Sequence, residues 1–231
     1  VIPRFWVVIP AAGSARRMGA SLIPKQYLPL CGATVIEHAL RPFLARRECA
    51  GIVVVLSATD DRWSSLAAAR DPRVTTTIGG GERTDSVRAG VAALKPRAPQ
   101  GDWVLVHDAA RPCLSDEDLG QLLESLAEDE VGGLLAAPVV DTLKRAAASG
   151  RVEATIDRTG LWRALTPQMF RLRILERALA LGPAATDEAQ AVEALGLQPK
   201  LVEGSADNLK ITVPEDLIRA ERILSARSIS S

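Results

Sequence analysis

Apolar residues in this chain fall into short runs separated by stretches with helical spacing. Phe5-Trp6-Val7-Val8-Ile9, Gly51-Ile52-Val53-Val54-Val55-Leu56, Val74 to Ile78, Trp103-Val104-Leu105-Val106 and Gly133-Leu134-Leu135-Ala136-Ala137-Pro138-Val139 predict five strands. Several are apolar at successive positions, as strands covered on both faces of a parallel sheet are. Helices fill the gaps. Thr34 with Glu37 three residues on has capping-box spacing, and residues 84–94 predict a second helix. Ser115 followed by Asp116, Glu117 and Asp118 opens a third, with negative charge where the helix dipole favours it. The β-α-β alternation predicts an α/β fold: three layers, Rossmann-like, with a mostly parallel sheet, in one domain covering 1–231.

The rhythm breaks between Val140 and Trp162. Asp141-Thr142-Leu143-Lys144-Arg145 is extended in character, Ser149-Gly150 is a turn signal, and Arg151-Val152-Glu153-Ala154-Thr155-Ile156 alternates polar and apolar. Residues 139–161 are therefore expected to form a protruding β-hairpin arm, inserted in the domain and available for homodimerisation. Beyond it, helices are expected over 171–181 and 187–195, the latter closed by Gly196. Lys200-Leu201-Val202 predicts a short strand and Lys210-Ile211-Thr212 a last strand end. Pro214 opens a terminal helix, a position that suits proline. Thr166-Pro167-Gln168 reads as a strand end and Thr186-Asp187-Glu188-Ala189 as a helix N-cap.

Composition narrows the function classes. Of 231 residues, 47% are hydrophobic but only 3% aromatic, so the core is built from Ala, Leu, Val and Ile. Lys plus Arg number 28, as do Asp plus Glu, giving a formal net charge of zero. That excludes a nucleic-acid coat, which needs a basic excess, and makes any positive site local. Cys31, Cys49 and Cys113 have neither zinc spacing nor a disulfide framework, so reduced thiols in the cytoplasm are expected. No apolar run approaches the ~20 residues of a membrane span, and Val7 to Ile9 is too short for a signal-peptide core.

Candidate chemistry gathers at four places. The first strand runs into Pro10-Ala11-Ala12-Gly13-Ser14-Ala15-Arg16-Arg17-Met18-Gly19, with Pro24-Lys25-Gln26 soon after. Small residues let backbone N–H groups approach an anion, and the arginines and lysine add fixed positive charge. Neither the dinucleotide glycine fingerprint nor the P-loop pattern is present. Gly79-Gly80-Gly81, followed by Ser86 on a helical turn, would let the chain pass a flat ligand closely. His107-Asp108-Ala109-Ala110-Arg111-Pro112 lies at the carboxyl end of a strand, where open α/β sheets bind ligands. Asp108 there suits a hard divalent cation, while His107 reads as structural. Asp207-Asn208-Leu209-Lys210 adds a second carboxylate and a lysine able to reach a phosphate.

In this order these segments resemble the 2-C-methyl-D-erythritol 4-phosphate cytidylyltransferase family. The resemblance runs from about Val7 to Asp216 and includes Asp141-Thr142-Leu143-Lys144, Asp157-Arg158 and Leu165-Thr166-Pro167-Gln168. It implies transfer of a cytidylyl group from CTP to a sugar-alcohol phosphate, 2-C-methyl-D-erythritol 4-phosphate, with Mg2+. It implies Arg17 and Lys25 as transition-state stabilisers, and Arg158 and Lys210 as holders of the acceptor phosphate. CTP would be bound by Ala11, Ala12, Gly13, Gly80, Gly81, Ser86, Asp108 and Ala109. The acceptor would meet Asp108, Arg111, Thr142, Arg158, Thr166 and Thr186, and the metal would meet Asp108 and Asp207. It further implies a homodimer in which Thr142 and Arg158 serve the neighbour's site, and neither a nucleic-acid partner nor a membrane. Ala15 departs from the family's first loop, which often carries a glycine there. Three alternatives stand at this stage: a ribitol 5-phosphate cytidylyltransferase, a nicotinamide-binding Rossmann protein, and a non-catalytic nucleotide-binding protein. The nicotinamide reading lacks its glycine fingerprint and has Leu56-Ser57-Ala58 where an acidic residue should end the second strand.

Overall fold

The computed structural model describes residues 1–13, 23–181 and 185–229. Along β1 (Phe5–Pro10), side chains alternate between two separate cores. Phe5, Val7 and Ile9 enter one; Trp6 and Val8 enter the other. The same alternation holds along β4 (Cys49–Leu56) and β6 (Trp103–Val106), so the sheet is covered on both faces. On one side lie α1 (Val35–Leu44) and α3 (Asp116–Leu126); on the other lie α2 (Arg83–Leu94), α4 (Leu172–Leu181) and α5 (Glu188–Glu193). This is the expected three-layer α/β architecture. A third cluster seats α6 (Pro214–Ile229) against Leu30, Val35, Cys113 and Ile211. Leu30 belongs to a short hairpin, β2 (Pro29–Leu30) with β3 (Ala33–Thr34).

The remaining strands are β5 (Val74–Ile78), β7 (Gly132–Pro138), β10 (Trp162–Arg171) and β11 (Lys200–Glu203), with β8 (Leu143–Ala146) and β9 (Val152–Ile156) apart in a two-stranded hairpin. The main sheet runs β11-β7-β10-β6-β1-β4-β5. All neighbours pair in parallel except β10, which is antiparallel to both β6 and β7. The chain moves from β1 outward through β4 and β5, then crosses to the opposite side of β1 to form β6. The order therefore reverses between β1 and β6, the place where such sheets bind ligands.

Local signals account for several elements. Thr34 and Glu37 form the capping box, with the Glu37 backbone N–H donating to Thr34 Oγ1 and the Thr34 N–H donating to the Glu37 carboxylate. Ser115 and Asp187 cap α3 and α5 through their side chains. Gly196 ends the α5 region at φ +77°, a left-handed conformation that suits glycine.

Two expectations change. Residues 210–212 are not a strand but part of the loop before α6, with the Ile211 N–H donating to the Ala110 carbonyl. Thr166-Pro167-Gln168 does not end a strand; it sits inside β10, the ten-residue strand between β6 and β7. Proline argues against a central strand because it has no N–H for the ladder. Here the ladder with β7 is interrupted: Ala164 faces Ala136, and the next pair is Gln168 with Leu134. Two extra residues on β10 bulge at this point, and Pro167 lies within the interruption.

Among the described residues, no helix is long and apolar enough to cross a membrane. Cys31, Cys49 and Cys113 are free thiols, the last two buried.

Candidate active site

The carboxyl ends of β1 and β6 open onto a cavity of about 350 Å³. Its walls are Pro10 to Gly13 after β1, Gly80 to Arg83 and Ser86 at the start of α2, Asp108 to Ala110 after β6, and Lys25, Gln26 and Lys210. The expected nucleotide-binding residues Ala11, Ala12, Gly13, Gly80, Gly81, Ser86, Asp108 and Ala109 all line it, as do Lys25 and Lys210. Arg17 and Ala15 lie outside the described residues.

The glycines are explained by packing as much as by ligand access. A Cβ on Gly79 would come within 2.8 Å of the Ala12 methyl, and one on Gly80 would collide with the Asp85 side chain. A Cβ on Gly81 meets nothing. The loop is therefore pressed against the β1 loop and α2, with a backbone wall facing the cavity.

Asp108 is the electrostatic centre. It is buried, and burial by itself would push its pKa up. Arg83, then Lys210 and Arg111, outweigh that and hold its carboxyl far below the usual range. Arg83 Nε donates to Oδ1 at 3.0 Å, Lys210 Nζ lies 2.8 Å from Oδ2, and Arg111 Nε lies 3.6 Å from Oδ2. Asp108 is thus an anion at neutral pH.

Beneath it runs a chain of hydrogen bonds. The Asp108 N–H donates to Thr166 Oγ1 at 3.2 Å, and Thr166 Oγ1 lies 2.9 Å from His107 Nδ1. His107 Nε2 lies 3.1 Å from the Arg111 carbonyl, which can only accept. The proton therefore sits on Nε2, and Nδ1 accepts from Thr166. Burial lowers the His107 pKa to about 4. A neutral imidazole with both nitrogens engaged is a support, as its sequence position indicated.

Lys210 is positioned by its neighbours. Asn208 Nδ2 donates to the Thr166 carbonyl at 2.7 Å, Arg111 donates to the Asn208 carbonyl at 2.6 Å, and Ile211 is tied to Ala110. Lys25 Nζ donates to the Ile211 carbonyl at 3.1 Å, bringing a second ammonium group beside Lys210.

Other expected residues lie elsewhere. Asp207 is not brought to Asp108; its side chain is exposed, 3.9 Å from Arg227, on a separate groove beside α6. The chain turns at Ala206-Asp207 and bends at Asn208 between the two residues, with the Asn208 N–H donating to the Ser205 carbonyl, so Asp207 and Lys210 are sent to different surfaces. Thr186 bonds Gln190 at the start of α5, and Thr142 and Arg158 stand exposed on the arm, where Arg158 donates to the Val140 carbonyl. None of these four lines the cavity.

Sequence reasoning missed Arg83 and Glu188. Arg83 gives two N–H groups to Glu188, at 2.6 and 3.1 Å, and a third to Asp108. Burial works against the Arg83 charge, and the two carboxylates outweigh it. Arg83 lies just after the Gly79-Gly80-Gly81 run, and Glu188 inside the Thr186-Asp187-Glu188-Ala189 helix start. Nothing local marks them as partners, since they lie 105 positions apart.

The site can hold a polyanion between the small-residue loops after β1 and before α2 and the ammonium groups of Lys25 and Lys210. For a cation it offers one ionised carboxylate. Among the described residues no cluster of three or more metal-ligating side chains exists. That fits Mg2+, which takes one or two carboxylates and completes its shell with phosphate oxygens and water. It does not fit a cage built from protein alone.

Comparison with known proteins agrees with this geometry. The profile of the IspD family, 2-C-methyl-D-erythritol 4-phosphate cytidylyltransferase, matches residues 5–226. An enzyme of that name from Pseudomonas aeruginosa (strain UCBPP-PA14) is 57% identical over 226 residues, 96% of each chain. A crystal structure of 4-diphosphocytidyl-2C-methyl-D-erythritol synthase superposes with a TM-score of 0.84 at 41% identity, over 97% of this chain and all of the other. The Francisella tularensis 2-C-methyl-D-erythritol 4-phosphate cytidylyltransferase gives 0.81 at 33% identity, over 95% and 99%. From β1 to α6, the chain belongs to the 2-C-methyl-D-erythritol 4-phosphate cytidylyltransferase family.

Proposed function

We propose that this chain transfers the cytidylyl group of CTP to 2-C-methyl-D-erythritol 4-phosphate. An oxygen of the acceptor phosphate attacks the α-phosphorus, the bond from that phosphorus to the β-phosphate bridging oxygen breaks, and pyrophosphate leaves. The products are pyrophosphate and 4-diphosphocytidyl-2-C-methyl-D-erythritol. The observation that carries this reading is the meeting of Lys25 and Lys210 on one cavity whose facing wall is backbone. A phosphate monoester has a second pKa of about 6, so at neutral pH it is already a dianionic nucleophile. No general base is required, in keeping with a buried, neutral His107. What the reaction needs is two anions held together and charge balanced as it builds, which is positioning and electrostatics.

The nucleotide lies along Ala11 to Gly13 and Gly80 to Gly81, with Ser86 and Ala109 closing the sides. Lys25, with Arg17 as the resemblance implies, balances charge on the α-phosphorus. Lys210 leaves Asp108 to bind the acceptor phosphate, backed by Arg111 and Thr166. Asp108 is the residue that would hold Mg2+, and that ion supplies charge neutralisation on the phosphates.

The acceptor site is completed by a second copy of this chain. Val140 and Val152 are 70% and 64% exposed, and Leu161 and Trp162 at the base of the arm are also exposed, leaving apolar side chains along the arm for a partner to cover. Thr142 and Arg158 would then serve the neighbour's cavity, and Thr186 would approach the acceptor from α5.

The test is pyrophosphate release from CTP with methylerythritol phosphate and ribitol 5-phosphate side by side, with and without Mg2+. Release with the first acceptor and metal is expected; release with ribitol phosphate alone would overturn the choice of substrate.

A further inference from the structure

Glu188 opens α5 and is 1% exposed. Burying a carboxylate is costly, and burial pushes this one upward against the pull of Arg83. Anchoring α5 does not require it. Asp187 Oδ2 accepts from Gln168, the Ala189 N–H donates to Gln168, and the Ala185 carbonyl accepts from Thr84. The helix start is thus already tied to β10 and α2.

The geometry of the pair suggests another use. Both Glu188 oxygens accept from the Arg83 fork, an arrangement that requires the ionised carboxylate. A guanidinium is planar, so fixing its fork also fixes the direction of Nε. That third N–H is spent on Asp108 Oδ1, which leaves Oδ2 to face Lys210 at 2.8 Å.

We propose that Glu188 is a positioning residue for capture of the acceptor phosphate. It fixes the plane of Arg83, Arg83 holds Asp108 by one oxygen, and Asp108 sets the starting position of Lys210. Without Glu188 the two terminal nitrogens of Arg83 lose the carboxylate that holds them, and Nε turns away from Oδ1. Asp108 then rotates and Lys210 loses its alignment. The Lys25 side of the cavity, tied to Ile211, keeps its geometry.

This inference rests on the cytidylyl-transfer reading. Turnover by the unsubstituted chain tests that reading by itself, and its absence would fail the reaction rather than Glu188. The variant is Glu188→Gln, which keeps size and one acceptor. Expected is a fall of about 10–100-fold in kcat/KM for the acceptor phosphate, carried mostly by KM. CTP affinity, measured by calorimetry without acceptor or Mg2+, should change less than about threefold, since the wall proposed for the nucleotide, Ala11 to Gly13 and Gly80 to Gly81, lies apart from Glu188. Arg83→Met should give a similar loss, and the double variant should be no worse than Arg83→Met alone. An unchanged kcat/KM, additive losses, or equal weakening of CTP binding would each overturn the proposal. If Glu188→Gln does not fold, Glu188→Asp is read in its place: it keeps the buried charge pair but, one methylene shorter, cannot hold both arms of the Arg83 fork in the same plane. Wild-type kcat/KM for the acceptor in that protein would overturn the proposal; the selective loss would sustain it.

Discussion

Around Asp108, Arg83 of α2, Thr166 of β10 and Lys210 meet within hydrogen-bond distance, with Arg83 held in turn by Glu188 and Thr166 by His107. On the arm, Thr142 and Arg158 face solvent, and β8 and β9 pair only with each other in the sheet topology. The cavity is assembled within one chain by long-range contacts, and its groups are preorganised before substrate arrives. The arm is assembled locally, by a hairpin register that needs no core. Groups that stabilise the transition state belong in the first setting, where alignment costs nothing at the moment of reaction. Groups proposed to serve a neighbour, Thr142 and Arg158, stand in the second.

The sharpest way to test this division is Lys25→Ala. Its kcat should fall by roughly 10²–10³-fold, while CTP affinity changes far less. Near-normal turnover would remove Lys25 from the cavity's chemistry. Next is mixing a Lys25→Ala chain with an Arg158→Ala chain. If the arm serves the partner, one of the two sites in the heterodimer is intact, and the purified species should recover about half of wild-type activity. No recovery would place Arg158 in its own chain's site and collapse the contrast.

Acid sensitivity should also belong to the cavity. His107 titrates near 4 when folded and ordinarily near 6.5. The unfolded chain therefore takes up the proton first, and stability falls as pH drops through the window from 6.5 towards 4. Between pH 7 and pH 5 the loss should be roughly 2 kcal/mol by urea unfolding. His107→Gln should flatten that slope; arm substitutions should leave it alone. The smallest contrast pairs two threonines. Thr166→Val removes the hydroxyl between Asp108 and His107 and should cost about 1–2 kcal/mol of stability, whereas Thr142→Val should stay within about 0.5 kcal/mol.

The sequence made β1, β4, β6 and β7 legible because they are apolar on both faces, and the helix starts legible because Thr34, Ser115 and Asp187 carry caps. It hid β10, since Pro167 contradicts the local rule for a central strand and a β-bulge is what reconciles them. Site residues read from loops at strand ends converge on the cavity. Asp207 does not, because a turn at 206–207 and a bend at 208 stand between it and Lys210, and nearness in sequence does not carry direction through a turn. The Arg83–Glu188 pair was unreadable for the opposite reason: its meaning lies in contact across 105 positions.

The bulge in β10 has a consequence for how the fold could be edited. Its excess over β7 is two residues, an even number, so the alternation of faces resumes in phase beyond it. Leu165 before it and Met169 after it enter the same core, and Phe170 enters the other. Deleting Thr166 and Pro167 together would close the ladder without turning Met169 or Phe170 over. Deleting either one would invert both. The sheet and the Thr166 anchor beneath Asp108 are thus separable modules, written into the same strand in units of two.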